Sequence, residues 1–385
     1  MKPLPHAPAG VAPVVAVPVV AVPVKDEDER IGACLRALCA QRDAPSHRVL
    51  LFVNDTTDGT PAVLRDLLPS LSMPVHVVEH RFAPGAGSAG MARRLAMRRA
   101  AALAGAHGVL LTTDADGRVA PDWVAANLHH LRHGADAVAG RAEIDPADAA
   151  LIPPRLHEDD AREVAYATLL DEITHLLDPD PADPWPRHTE HNGASIAVTA
   201  AAYHGAGGIP AVPVGEDRAF FEALRRVDAR IRHAPEVRVT VSGRTVGRAA
   251  GGMADTIRRR LAAPDPFLDD RLERAAAFAR RMGWRRRVRV AHAAGVSRAS
   301  AGALARGLGM DPAELRRLCA ASRFGAVWAE VEARSPVLAR VPVPVAALAD
   351  ETASATRVRD ALRAAARATE RGRAAPAASG PVPAG

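Results

Sequence analysis

Short apolar runs alternate with longer amphipathic stretches along the first third of the chain. Residues 14–24, VVAVPVVAVPV, repeat a five-residue unit, and the second copy runs directly into KDEDERIGACLRAL. Ile31, Leu35 and Leu38 share one helical face there, so the second copy reads as the first strand and its sequel as the first helix. A second apolar run, 48–53, ends in NDTTDGT, and 60–71 has helical spacing. Residues 74–79 read as a third strand, 87–104 as an Ala/Arg-rich helix and 108–113 as a fourth strand. Strands and helices in this alternation predict an open, mainly parallel α/β sheet, whose ligands gather at the carboxyl ends of the strands.

At such an end lies the stretch VLLTTDADGRVAPDW, residues 109–123. Asp114 and Asp116, one alanine apart, can face one point, and carboxylate oxygens are what hard cations such as Mg²⁺ and Mn²⁺ prefer. An Asp-rich turn has the same composition for backbone reasons alone, so context decides. A glycine pattern nearby, GAGSAG at Gly85, Gly87 and Gly90, has the form of a dinucleotide fingerprint. It follows the third strand with RFAP intervening, whereas the fingerprint belongs directly after a first strand. The glycines read instead as the approach to the helix bearing Arg93 and Arg94.

Composition narrows the class. At roughly 150 residues per domain, 385 residues make two or three domains. Hydrophobic residues at 48% and charged residues at 24% are ordinary for a soluble globular chain. The net charge of +6 is almost all arginine, the only lysines being Lys2 and Lys25, which reflects biased Ala/Arg/Pro composition as much as an anionic partner. Aromatic residues at 3% argue against stacking platforms for single strands, and no nucleic-acid partner is expected. Cys34, Cys39 and Cys319 give neither a disulfide framework nor zinc spacing. Pro13, Pro18 and Pro23 interrupt the apolar run 11–24, and no apolar stretch approaches the roughly 20 residues of a spanning helix. A cytoplasmic setting is expected, with peripheral membrane contact left open.

Several motifs in fixed order resemble family 2 glycosyltransferases of the GT-A fold. PVKDEDERIGACLRAL is similar to their opening P-x-x-N-E strand and helix, and VNDTTDGT to their V-D-D-x-S-x-D-G-T. GMARRLAMRRA resembles the family's A-R-N helix, TTDADG its metal-binding Asp-X-Asp, and GEDRAF at 215–220 its Glu-Asp pair, whose aspartate is the catalytic base. The resemblance covers roughly residues 14–255. It implies a GT-A-like α/β fold, an open mixed, mainly parallel sheet flanked by helices, with a C-terminal α-helical extension. It also implies a divalent cation, Mn²⁺ or Mg²⁺, and a nucleotide-diphospho-sugar donor. Carried over residue by residue, it places Pro23, Val24, Glu27, Asn54, Asp55, Arg93 and Asp114 at the donor and Asp116 with Asp114 at the metal. Asp217 becomes the base, with Glu216 sharing that role or orienting the acceptor. In two places the chain departs from the family. Asn54 stands where the family commonly has an aspartate facing the nucleobase, although an amide both donates and accepts. Residues 243–252, GRTVGRAAGG, do not match the Q-x-x-R-W of processive synthases.

The chemistry of the residues agrees with that reading. A departing diphosphate needs its charge neutralised, which a cation on Asp116 and Asp114 would do. Arg93 and Arg244 or Arg248 suit further phosphate contacts, since guanidinium pairs bidentately. An acceptor hydroxyl must lose a proton, which is work for a carboxylate such as Asp217. Taken alone, GEDRAFFEAL also reads as the acidic first turn of a helix. His188, His191 and His233 are candidates to complete a metal shell, and each also reads as a structural group. Residues 145–190, rich in Pro and Asp, read as an acceptor-side insertion.

Beyond residue 256, Arg258 to Arg260 and Arg285 to Arg287 punctuate Ala-rich helical segments. Residues 296–308, VSRASAGALARGL, faintly resemble a helix-turn-helix, but an arginine-fringed helical bundle is preferred. The end, RGRAAPAASGPVPAG, is low-complexity and expected to be disordered. The expected organisation is an extension at 1–13, a GT-A domain at 14–255, a helical region at 256–370 and a tail at 371–385. The expected activity is metal-dependent, inverting sugar transfer to an unidentified small or lipid-linked acceptor hydroxyl. A non-catalytic sugar-nucleotide-binding protein and a DNA-binding regulator are the alternatives. The acidic KDEDE replaces the Gly-rich, Arg/Lys-containing loop of a nucleotidyltransferase.

Overall fold

The computed structural model describes residues 17–188, 190–245, 247 and 251–374. The extension at 1–13, the tail from 375 onward and Arg248 lie outside the described residues. The chain opens with β1 (Val19–Val24), α1 (Ile31–Cys39), β2 (Arg48–Asn54), α2 (Thr60–Leu67), β3 (Val75–His80), α3 (Ala89–Ala104) and β4 (Val109–Thr112). There follow β5 (Arg118–Val119), α4 (Trp123–Arg132), β6 (Ala137–Ile144), α5 (Pro146–Ala149) and α6 (Pro154–Leu177). Next come β7 (Ile196–Thr199), α7 (Ala200–Gly205), α8 (Glu216–Arg226) and β8 (Ile231–Val241). The remainder is helical: α9 (Met253–Ala262), α10 (Ala275–Ala294), α11 (Arg298–Leu308), α12 (Pro312–Leu318), α13 (Phe324–Arg334) and α14 (Leu348–Ala374).

Contacts divide the described residues into two compact units, the first drawn from 1–143, 192–220 and 237–241, the second from 144–191, 221–236 and 242–385. The eight strands form one sheet in the order β3-β2-β1-β4-β7-β6-β8-β5. β3, β2, β1 and β4 are parallel neighbours, while β7 runs antiparallel to both β4 and β6 and β5 runs antiparallel to β8. The sheet is therefore mixed, as expected, with its parallel part where the sequence alternates strand and helix. Strand order reverses between β1 and β4, and at such a switch point the loops leaving the two carboxyl ends diverge to open a crevice. Ala21 pairs with Thr112, which sets the loop after β1 beside the one carrying Asp114 and Asp116.

Val19, Val20, Ala21 and Val22 are wholly buried, as befits a central parallel strand covered on both faces. Helix α3 packs on β1, β2 and β4 through Ala92, Ala96, Met97 and Ala100. Its small side chains bring the helix close to the sheet. The same helix carries one buried charge, Arg93, only 5% exposed.

In the second unit α6, α10 and α14 pack around Tyr166, Leu170, Ile173, Ala275, Leu348 and Ala355. A further cluster joins α10 to α11, α12 and α13 through Val288, Leu308, Leu315, Trp328 and Val331. The stretch 145–190 is thus mostly one 24-residue helix, α6. Helix α14 reaches Ala374, four residues into the stretch expected as a disordered tail, because arginine and alanine are strong helix formers. No described helix is long and apolar enough to cross a membrane.

Candidate functional site

Arg93 is the hub of the first unit's site. Its Nε donates to Glu216 Oε1 at 3.0 Å, and Nη1 donates to Thr112 Oγ1 at 3.1 Å and to the Gly193 carbonyl at 2.7 Å. Nη2 donates to Asp114 Oδ1 at 2.5 Å. One guanidinium therefore ties the end of β4, the loop before β7 and the first turn of α8. The approach is possible because glycines stand opposite. A Cβ on Gly193 would lie 2.6 Å from the guanidinium carbon, and one on Gly90 would meet Glu216 Oε2 at 3.0 Å. Burial opposes the charge on Arg93, but Asp114 and Glu216 outweigh it and push its pKa further up, so it stays a cation.

Asp217, next to Glu216, accepts from the Arg218 amide at 2.7 Å. Its pKa is raised, first by burial and then by the Glu216 charge, against the opposing Arg218 amide and the Arg93 and Arg218 charges. A carboxylate held above its ordinary value at the start of a helix has the character of a base.

Beyond β4, Gly117 closes a turn by donating its N–H to the Asp114 carbonyl at 3.1 Å, and the Thr113 hydroxyl there is buried with no hydrogen-bond partner. Cys34 of α1 lies below, its Sγ 3.5 Å from the Asp114 carbonyl oxygen. Burial pushes that thiol up, and the charges of Asp116, Asp114 and Glu27 push it further. Three acids therefore share one neighbourhood, which the sequence alone could not show. Glu27 is buried at 6% exposure, and its amide donates to Thr60 Oγ1 at 2.8 Å. Among the described residues no group of three or more His, Cys, Asp or Glu side chains could hold a metal ion by itself.

The loops after β1 and β2 are laced together. Asp26 Oδ1 accepts from the Thr57 amide at 2.7 Å, Asp28 Oδ2 accepts from the Gly59 amide at 3.3 Å, and the Asp28 amide donates to Asp58 Oδ2 at 3.2 Å. Asp26 and Asp55 both adopt the left-handed region, at φ 51° and 47°, which aspartate tolerates better than most residues. Asp55 Oδ1 accepts from the Phe82 amide at 3.0 Å. Asn54 is 4% exposed at the end of β2, its amide nitrogen 3.4 Å from Asp55 Oδ2. Pro23 and Val24 end β1, paired with Phe52 and Val53.

The Gly85–Gly90 segment leads into α3, whose N-cap Ser88 accepts from the Met91 amide at 3.1 Å. It delivers Arg93 and Arg94, the latter bonded to the Ile209 carbonyl.

In the second unit, His233 Nδ1 lies 2.7 Å from Asp183 Oδ2, and His233 Nε2 lies 2.8 Å from His191 Nε2. Burial first, then Arg225, His233, Arg271 and His188, hold the His191 pKa well below its ordinary value, so the ring is neutral. Both ring nitrogens of His191 and of His233 lie within hydrogen-bond distance of protein groups. His188 stacks edge-on to His233 with centroids 5.7 Å apart. The Arg244 amide donates to Ser242 Oγ at 3.2 Å.

Residues 19–181 match the family model described as Glycosyl transferase family 2. No curated protein matches the chain. Among solved structures, the mannosyltransferase PcManGT from Pyrobaculum calidifontis, in complex with GDP-Man and Mn²⁺, aligns at 18% identity and a TM-score of 0.42, covering 83% of this chain and 88% of that one. TarS from S. aureus aligns at 16% identity and 0.41, covering 82% and 90%. Glucosyl-3-phosphoglycerate synthase from Mycobacterium tuberculosis, with Mn²⁺, UDP and phosphoglyceric acid, aligns at 14% identity and 0.38, covering 66% and 83%.

Proposed function

We propose that this glycosyltransferase, whose residues 19–181 belong to glycosyl transferase family 2, inverts the anomeric centre as it moves a sugar from a nucleotide-diphosphate donor to an acceptor hydroxyl. The observation that carries the reading is the Arg93 hub, in which one buried cation bonds both Asp114 and Glu216, the neighbour of Asp217. The donor lies at the crevice between the carboxyl ends of β1 and β4. Pro23, Val24, Glu27, Asn54 and Asp55 face its nucleoside, and Asn54 both donates to and accepts from the base.

Arg93 acts on the donor through its partners, because its guanidinium nitrogens are already bonded to protein groups. It is a positioning residue. Asp217 receives the acceptor's proton as the hydroxyl oxygen attacks the anomeric carbon and the bond to the diphosphate breaks. Its raised pKa suits that task, since a base is most effective when its pKa approaches the working pH. Glu216, held by Arg93, orients the acceptor.

Asp116 and Asp114 would hold a divalent cation, Mn²⁺ or Mg²⁺. The residues fit such an ion: Mg²⁺ is commonly bound by one or two carboxylates plus substrate phosphates rather than by an all-protein cage, and a pair of carboxylates is what the loop provides. Bound there, the ion would neutralise the departing diphosphate. The acceptor is a small or lipid-linked hydroxyl compound, and a cytoplasmic setting belongs to the same reading.

Thermal-shift titration of the full chain with nucleoside diphosphates and their sugars, with and without Mn²⁺, tests the donor site. At least one is expected to stabilise the chain in a metal-dependent way, and Asp116→Ala to remove the metal-dependent part. Absence of any metal-dependent stabilisation across the panel rejects the reading.

A further inference from the structure

Within the second unit, arginine is concentrated in one stretch. Residues 280–323 hold eleven arginines against two acids, Asp311 and Glu314, a net charge of +9. Subtracting that from +6 for the whole chain leaves the remainder at −3, so the excess is local and biased composition does not account for it. Three of these arginines are neutralised inside the unit. Arg281 is buried on Glu273 and Glu332, while Arg285 and Arg289 both pair with Asp178.

Arg286 and Arg287, on the exposed face of α10, are different. Arg286 Nη1 donates to the Leu177 carbonyl at 3.3 Å, and Arg287 lies over the Trp284 ring, its guanidinium carbon 4.8 Å from the centroid. Among the described residues no carboxylate pairs with either, nor with the exposed Arg298 and Arg306 of α11. Between α10 and α11 runs a groove of about 610 Å³, lined by Arg286 and Arg287 together with Val290, Ala294 and Leu304. Val290 is 61% exposed and stands three and four residues beyond the two cations, on the same helical face. Hydrocarbon and unpaired guanidinium thus lie side by side within one helical turn.

We propose that this face of α10 and α11 docks on an anionic lipid bilayer, Arg286 and Arg287 taking headgroup phosphates and Val290 entering the acyl boundary. Guanidinium pairs with phosphate bidentately, and arginine clusters beside apolar side chains on a helix suit acidic headgroups. The apolar part separates a bilayer from a nucleic acid. A duplex backbone would set charged phosphate against Val290 and Leu304, and no residue lining the groove is aromatic, so an unpaired base would find no ring to stack on. The surface is independent of the donor reading, which rests on residues of the first unit.

Co-sedimentation of the full chain with vesicles tests the proposal, using phosphatidylcholine alone and phosphatidylcholine mixed with an equal part of phosphatidylglycerol. Wild type should bind the mixed vesicles, release them as salt rises and leave the neutral ones unbound. Each arginine near an acidic surface is worth roughly fivefold in partition, so Arg286→Gln combined with Arg287→Gln should weaken binding about twenty- to thirtyfold. The control, Arg226→Gln combined with Arg359→Gln, removes the same charge from arginines paired with Glu330 and Asp360 and should bind like wild type. Val290→Glu, at an exposed position, should by itself lose the vesicles. Several results would each overturn the site: no binding to the mixed vesicles, equal binding to the neutral ones, an equal loss in the control, or wild-type binding by Val290→Glu. So would displacement of wild type from the vesicles by a DNA duplex at matched phosphate concentration.

Discussion

Replacing Arg93 with methionine keeps the apolar stem on the sheet and removes the one cation shared by Asp114 and Glu216. Glu216 has a side chain only 12% exposed, while Asp114 at 34% retains part of its hydration, so the heavier cost falls on Glu216. Breaking a buried pair by deleting one partner costs about 3–5 kcal/mol, mostly as an uncompensated charge. Thr112 Oγ1 and the Gly193 carbonyl lose a donor as well. Against a total stability of roughly 5–15 kcal/mol, this is a large fraction. Urea unfolding of Arg93→Met, Glu216→Gln and the double variant would measure it as a cycle. The double variant should recover about 1–2 kcal/mol relative to the sum of the single changes, because it no longer buries a lone carboxylate. Loss below about 0.5 kcal/mol in Arg93→Met, with no coupling to Glu216, would refute the hub.

Other outcomes follow from neighbouring residues. Asp217→Asn should keep donor affinity and lose transfer by about 10²–10⁴-fold, measured with any donor that the thermal screen identifies. Because the Asp217 pKa is raised in the fold, ionisation opposes folding as pH rises past the unfolded value, and the penalty persists at neutral pH. The same variant should therefore melt no lower than wild type at pH 7, and a lower Tm would contradict the burial argument. In wild type the acid limb of kcat/KM should fall at a pH above the ordinary aspartate value, and a limb at or below it would count against Asp217 as the base. Gly193→Ala should lower Tm and transfer together, since its Cβ would lie 2.6 Å from a guanidinium that four hydrogen bonds hold in place.

The strands were the most legible part of the chain. The reading of 48–53 and 108–113 as strands meets β2 (Arg48–Asn54) and β4 (Val109–Thr112) within a residue, because fully buried parallel strands leave unbroken apolar runs. The helix expected over 60–71 ends at Leu67 and tightens into a 3₁₀ turn over Leu68–Ser70, where Pro69 cannot supply the next amide hydrogen. Motif order singled out Arg93, Asp114 and Glu216, but not their bonding, since Arg93 and Glu216 are 123 residues apart. Gly193 and Thr112 left no signal beyond being small residues near strand ends. The surroundings of His191 and His233 were not legible in the sequence, because Asp183 meets His233 from 50 residues away and Arg225 and Arg271 meet His191 from 34 and 80 residues away.

The laced loops after β1 and β2 have a mechanical consequence. Asp26 and Asp28 grip the amides of Thr57 and Gly59, so two segments that would otherwise fluctuate independently are cross-braced as one wall. The entropy of ordering that wall is lost when the chain folds, not when a ligand arrives. A guest docking there meets a mould already set, and discrimination among guests follows from shape at first encounter rather than from a loop closing over whichever one arrives.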